Sequence, residues 1–226
     1  MRPGSSRIVA AFAAVAILFG SAGCTGIVPG QGPAPMLYTL TPKSTFADGL
    51  PTVDWQLVLE VPFASAALNT TRVAIQPTPM SFDYYARASW TDVAPLMVQT
   101  LMVESFENSR SIVAVGRASI GLRSDFILKT ELREFQAESF RGGATVGIDV
   151  KLVKMPERTI VAANEFRATA PGDVDQLSSI IEAFDQALGR VLKHTVEWTL
   201  VTGEEIWRKA KAEEAAAEAR ARREAF

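Results

Sequence analysis

The 226 residues include one cysteine and one histidine. A lone cysteine excludes an intrachain disulfide, so any fold must be held by packing. One Cys and one His are also too few for a tetrahedral zinc site. Positive charge is not in surplus, since 23 Lys and Arg stand against 25 Asp and Glu, a formal net of −2. Nucleic-acid phosphates require a basic face, which excludes DNA and RNA as partners. The chain has no Gly-x-x-x-x-Gly-Lys-Ser/Thr loop, and so no ATP hydrolysis of the P-loop kind. After residue 24 every apolar stretch is broken by charge or proline, leaving none of the ~20 residues that span a bilayer.

The residues that could do chemistry do not form a catalytic constellation. His194 lies near the C-terminal end of an amphipathic helix, with no nucleophile or orienting acid patterned around it. It reads as a surface or rim histidine. Asp173 and Asp175 resemble a carboxylate pair, but at a helix start they serve as caps. Arg141-Gly-Gly-Ala-Thr-Val-Gly147 precedes a strand rather than opening a helix, so it reads as a turn. No catalytic, cofactor-binding or metal-binding residue is assigned, no cofactor is expected, and the chain reads as a non-enzyme.

What is present begins with the leader. Arg2 and Arg7 form a basic start, Ile8–Phe19 an apolar middle, and Gly20-Ser-Ala-Gly23 a run of small residues ahead of Cys24. These are the three parts of a secretory signal peptide. Small residues before a cysteine suit lipoprotein processing, although Ser21 stands where Leu is preferred. Cys24 is therefore the expected lipidation (palmitate-bearing) residue, and two or more acyl chains make a stable anchor. Thr25, rather than Asp, directs such a lipoprotein to the outer membrane. The expected organisation is a signal peptide over 1–23, a Gly/Pro-rich tether over 24–36, one domain over 37–202 and a charged tail over 203–226. Without its leader the chain keeps roughly 200 residues, enough for one domain with a real core.

Within the domain, strands are expected at Leu37–Leu40, Gln56–Val61 (Leu57, Leu59 and Val61 on one face), Arg72–Gln76 and Ile112–Val115. A helix capped by Thr91 or Asp92, with Pro95 in its first turn, runs to about Asn108. Asp125–Phe140 begins with Phe126, Leu128, Thr130 and Leu132 on one face. Phe135 and Ala137 then change phase, which predicts a bulge. Thr145–Met155 and Thr159–Thr169 form a hairpin around Pro156-Glu-Arg158. A second long helix is capped by Asp173 with Gln176, carries Leu177, Ile180, Ile181, Phe184, Leu188, Val191 and Leu192 at helical spacing, and ends near Trp198–Leu200, with Gly203 a stop. The expected fold class is α+β: a mixed, largely antiparallel sheet covered by two long amphipathic helices, plus a charged helical tail.

The tail, Glu204–Phe226, is mostly Ala, Glu, Arg and Lys. Glu204–Arg208, Glu205–Lys209 and Glu218–Arg222 have the favourable i, i+4 spacing. It reads as a solvated helix, or else as a partner-binding one. The segment Phe82–Trp90 gathers aromatics beside Arg87, making Tyr84, Tyr85, Arg87 and Trp90 candidate partner-binding residues. The same aromatics could equally plug one end of the core.

Four features taken together resemble one family: the lipobox cysteine, the tether leading to Tyr38-x-Leu40-x-Pro42, the Tyr84-Tyr-Ala-x-x-x-Trp90 segment, and the late Ile181-Glu-Ala-Phe184-Asp-x-Ala187 helix. The chain is similar over roughly residues 24–202 to the ABC-type transport auxiliary lipoproteins, the PqiC-like components of MCE-type intermembrane lipid transport systems. The resemblance implies a non-enzymatic lipoprotein on the periplasmic face of the outer membrane, docking the MCE-domain protein. The ATPase and permease would be separate chains. A homo-oligomer matching a ring-shaped partner is also implied. The rival readings are a periplasmic lipid-binding shuttle and a structural envelope lipoprotein of another assembly.

Overall fold

The computed structural model describes residues 34–118 and 124–224. The expected signal peptide, Cys24 and all of the tether before residue 34 lie outside them. The described chain runs β1 (Met36–Tyr38), β2 (Leu57–Leu59), β3 (Phe63–Ala64), β4 (Arg72–Gln76), β5 (Asp83–Trp90), α1 (Ala94–Ser109), β6 (Val115–Arg117), β7 (Phe126–Glu138), β8 (Gly143–Lys154), β9 (Thr159–Pro171) and α2 (Leu177–Glu224). This is an α+β fold in which one mixed sheet, not a barrel, carries two helices.

The 13-residue β7 organises the sheet. Along one edge it pairs in parallel with three short segments in turn: β2 against Phe126–Leu128, β3 against Glu131–Leu132 and β4 against Ala137–Glu138. Its other edge pairs antiparallel with β8 along its whole length, and β8 pairs with β9. The expected bulge is present: the β7–β8 register shifts between Leu132 and Glu134. One extra residue there moves the inward series from Phe126, Leu128 and Leu132 to Phe135 and Ala137, all of which are buried. Val146, Ile148, Val150 and Leu152 of β8 face the same core. The opposite face of the sheet is laced with ion pairs, among them Arg133–Asp149 at 2.8 Å and the pair Arg167–Glu134.

Three local expectations are corrected. β2, whose two edges pair with β6 and β7, is buried at all three residues, Val58 as well as Leu57 and Leu59, whereas Val61 is exposed beyond its end. The N-cap of α1 is Val93, with Pro95 in the first turn, and no side chain caps it; the Asp92 carboxylate accepts the neighbouring Val93 amide instead. Asp173 shapes the turn before α2, accepting from the Asp175 amide (3.0 Å) and the Gln176 side chain (2.7 Å), and the helix begins at Leu177.

The largest correction concerns α2. It does not stop at Trp198–Leu200; it continues through Gly203 to Glu224 as one helix of 48 residues, about 72 Å long at 1.5 Å per residue. Ile180, Phe184, Leu188, Val191, Leu192, Val196 and Leu200 bury one stripe against β7, β8 and β9. The part beyond Lys211 is exposed along its length.

Candidate functional site

The four residues singled out in the aromatic segment belong to β5, which pairs antiparallel with β4 and parallel with β1. They occupy three different environments. Trp90 is 1% exposed. Its ring meets Phe184 edge-on at 5.2 Å and Phe135 at 5.4 Å, and those two rings are 5.0 Å apart. Trp90 is thus the plug of one end of the core, beyond the reach of any partner while the core stays packed.

Tyr84 and Tyr85 are half-buried, and both hydroxyls are occupied. That of Tyr84 donates to the Ala67 carbonyl at 3.0 Å, and that of Tyr85 to the Val174 carbonyl at 2.9 Å. The Arg72 guanidinium lies 3.7 Å from the centre of the Tyr84 ring, and Phe82 meets that ring edge-on at 5.7 Å. Burial, with the negative charges of Asp175 and Asp173 adding to it, pushes the Tyr85 phenol up to about 12. Arg87 is exposed and has φ 59°, a left-handed conformation uncommon for a residue with a side chain. It lies where β5 slips register against β4, Arg72 facing Ser89 but Ala74 facing Tyr84. Arg72, which stacks on Tyr84, comes from another strand and carries no local signal in the aromatic segment.

A second cluster ties the long helix to the sheet. The Trp55 indole N–H donates to Glu204 at 3.1 Å, and Glu204 also binds Arg208 at 2.5 Å, one of the three expected i, i+4 pairs. Asp54 accepts from the Trp207 indole N–H at 2.9 Å and from Lys211 Nζ at 3.1 Å, while Lys211 sits 4.7 Å from the Trp207 ring centre. The hydrogen bond from Lys211 holds the Asp54 carboxyl below its ordinary range. Beyond this latch the helix makes no hydrogen bond to another element among the described residues.

An open groove of about 740 Å³ lies where Leu96 and Gln99 of α1 face Glu60, Val61 and Arg117. Arg117 is held there by the Thr100 hydroxyl at 2.8 Å. His194 is exposed, its ring 6.3 Å from that of Phe166. No group of three or more His, Cys, Asp or Glu among the described residues is placed to hold a metal ion. No described helix is long and apolar enough to cross a membrane.

Known proteins place these features in context. A crystal structure of a Xanthomonas campestris protein assigned to a family of unknown function is 30% identical, with a TM-score of 0.72, covering 76% of this chain and 99% of that one. A second solved structure, of an uncharacterized protein, shares the fold at a TM-score of 0.58 and 13% identity, covering 72% and 97% of the two chains. An uncharacterized protein of Bradyrhizobium diazoefficiens is 26% identical over 182 residues, which is 80% of this chain and 49% of that protein. The chain therefore spans about half the length of this curated relative. The family described as the ABC-type transport auxiliary lipoprotein component matches residues 38–196, from the last residue of β1 into the first half of α2, short of the latch at Glu204–Lys211. That family is one of transport components rather than an enzyme class, and this chain belongs to it.

Proposed function

We propose that the chain is the outer-membrane lipoprotein of an MCE-containing ABC transport system, anchored through Cys24 and docking the MCE-domain protein on the periplasmic side. The observation that carries this reading is the family match over 38–196, preceded in the same chain by a lipobox cysteine and a Gly/Pro tether. Position, rather than chemistry, is what such a component supplies. A homo-oligomer facing a ring-shaped partner belongs to the same reading. Arg87 and the exposed edges of Tyr84 and Tyr85 are the members of the β5 cluster open to contact; Trp90 supports them from the core.

A lipid shuttle needs an enclosed apolar cavity. The open 740 Å³ groove, lined by Glu60, Asp92 and Arg117 as well as by apolar residues, favours docking over carriage. The deciding experiment is a crosslinking pull-down from membranes with the full-length protein. Recovery of an MCE subunit supports the reading, and recovery of only unrelated envelope proteins sinks it.

A further inference from the structure

Two loop tips meet at one end of the sheet. β4 and β7 run parallel with Gln76 opposite Glu138, and the Ser139 amide donates to the Gln76 carbonyl at 3.0 Å. The β4–β5 loop, residues 77–82, therefore lies beside the β7–β8 turn, residues 139–142. Both expose large apolar side chains: Met80 is 100% exposed, Phe140 42% and Phe82 38%. Cations accompany them. The Arg141 guanidinium lies 5.4 Å from the centre of the Phe140 ring and is tethered through one nitrogen to the buried Glu138 carboxylate at 3.0 Å, while Arg87 is exposed further back along β5.

The domain's N-terminus enters from this same end. β1 is parallel to β5 with Met36 opposite Ala88, and β5 runs away from the tip. The start of β1, Met36, is therefore its end nearer the loop tips. The stretch from Cys24 to Pro35 reaches at most on the order of 40 Å when fully extended. The long helix points the other way. α2 starts after the turn joined to Gly142 through the Gly172 amide (3.0 Å), and it passes Phe126 at the opposite end of β7, where Trp207 lies 6.2 Å from the Phe126 ring.

We propose that the paired tips, Met80 and Phe82 with Phe140, seat on the bilayer surface that holds the Cys24 anchor. The proposal rests on the lipid-anchor reading above. Exposed Met and Phe with arginines set behind them are suited to the boundary between acyl chains and headgroups, where apolar groups bury and long cationic side chains reach the phosphates. Acyl chains suffice for retention, but a domain on a Gly/Pro tether would tumble. The tips supply orientation: with them on the membrane, the free end of α2 is directed away from it, into the space a docking partner occupies.

The test uses the full-length acylated protein, in which lipidation consumes the Cys24 thiol and leaves Met80→Cys as a unique labelling site. An environment-sensitive fluorophore is placed there and the protein is reconstituted in vesicles of phosphatidylethanolamine and phosphatidylglycerol carrying a doxyl quencher in the acyl chains. Met80→Cys and Phe140→Cys should give blue-shifted emission and lose fluorescence to the quencher. Val113→Cys, 94% exposed and apolar but joined to the opposite end of the sheet, should stay water-like. A Met80→Cys signal matching that of Val113→Cys, or shielding only when a partner protein is added, overturns the proposal. Intact mass reads the acyl chains on Cys24 separately. Should they be absent, the lipoprotein reading fails, and the tips are tested alone in a Cys24→Ser, Met80→Cys chain held to nickel-chelating lipid by an N-terminal histidine tag, with the same two outcomes.

Discussion

Gly203 lies directly against Trp55: a Cβ on it would come within 2.7 Å of Cζ2 and 3.0 Å of Cη2 of a ring that is fully buried. The glycine is in mid-helix because the indole occupies the space where a side chain would stand. Two effects oppose each other in Gly203→Ala. Helix propensity favours Ala by about 1 kcal/mol, while overpacking a rigid core costs about 1–3 kcal/mol. The ring cannot retreat, so overpacking should win and urea denaturation should show a loss of stability. Gly189, in the same helix with nothing within 4 Å of its added Cβ, is the internal control. Gly189→Ala should gain up to ~1 kcal/mol.

The Asp54 latch should be sensitive to acid. The hydrogen bond from Lys211 lowers the folded-state pKa of Asp54. A depressed carboxyl contributes stability above its unfolded value, around 4, and loses it as pH falls through the folded value. The near-UV circular dichroism of the Trp207 indole should hold from neutral pH to about 4 and decline below it. Asp54→Asn should show the reduced signal at neutral pH, with no such acid-linked step.

Tyr85 makes the corresponding alkaline prediction. Its phenol is pushed up to about 12 by burial and by Asp175 and Asp173. The neutral form is favoured in the fold, so this contribution is complete below the ordinary tyrosine value of about 10 and disappears as pH rises toward the folded value. Phenolate absorbance should show a late step from Tyr85. Tyr85→Phe should remove that step and cost about 1 kcal/mol through the lost bond to the Val174 carbonyl.

Arg87 carries a backbone that glycine would adopt freely. A left-handed residue with a side chain is strained by roughly 1–2 kcal/mol, against about 0.5–1 kcal/mol of extra chain entropy lost when Gly is ordered. Arg87→Gly should therefore leave thermal stability equal or slightly raised. If the same variant weakens partner recovery in the pull-down, the strain is retained for contact. Unchanged recovery removes Arg87 from the docking surface.

Cys24→Ala should block lipidation and release the protein from the membrane fraction while the domain stays folded, since the first described strand begins only at Met36. Continued membrane fractionation with unchanged gel migration would contradict the lipoprotein assignment.

Much of the fold was legible because its signals are local. The alternation in β8, the phase change at Leu132–Glu134 and the apolar stripe of α2 each report which side of an element is apolar, and burial follows that pattern. Capping was read less well. Asp92 and Asp173 are the right residue types near helix starts, but each spends its carboxylate on a neighbouring turn. In the aromatic segment nothing local distinguishes a Trp90 enclosed by Phe135 and Phe184 from one facing solvent. Met80 and Phe140 carry no local signal that pairs them. They are 60 residues apart in the chain, and only the parallel register of β4 with β7 brings their loops together.

By itself, the amino-acid sequence determined the element types, the faces they bury and the family, since periodicity and residue order are properties of neighbours along the chain. Tertiary structure decided which element covers which face. It laid β2, β3 and β4 in series along β7, carried α2 straight through Gly203, and set the loop tips at the end opposite the helix tail. The reason is physical: a glycine within a run of strong helix formers marks a stop or a close contact equally well. Only the position of the Trp55 ring, nearly 150 residues earlier, selects between them.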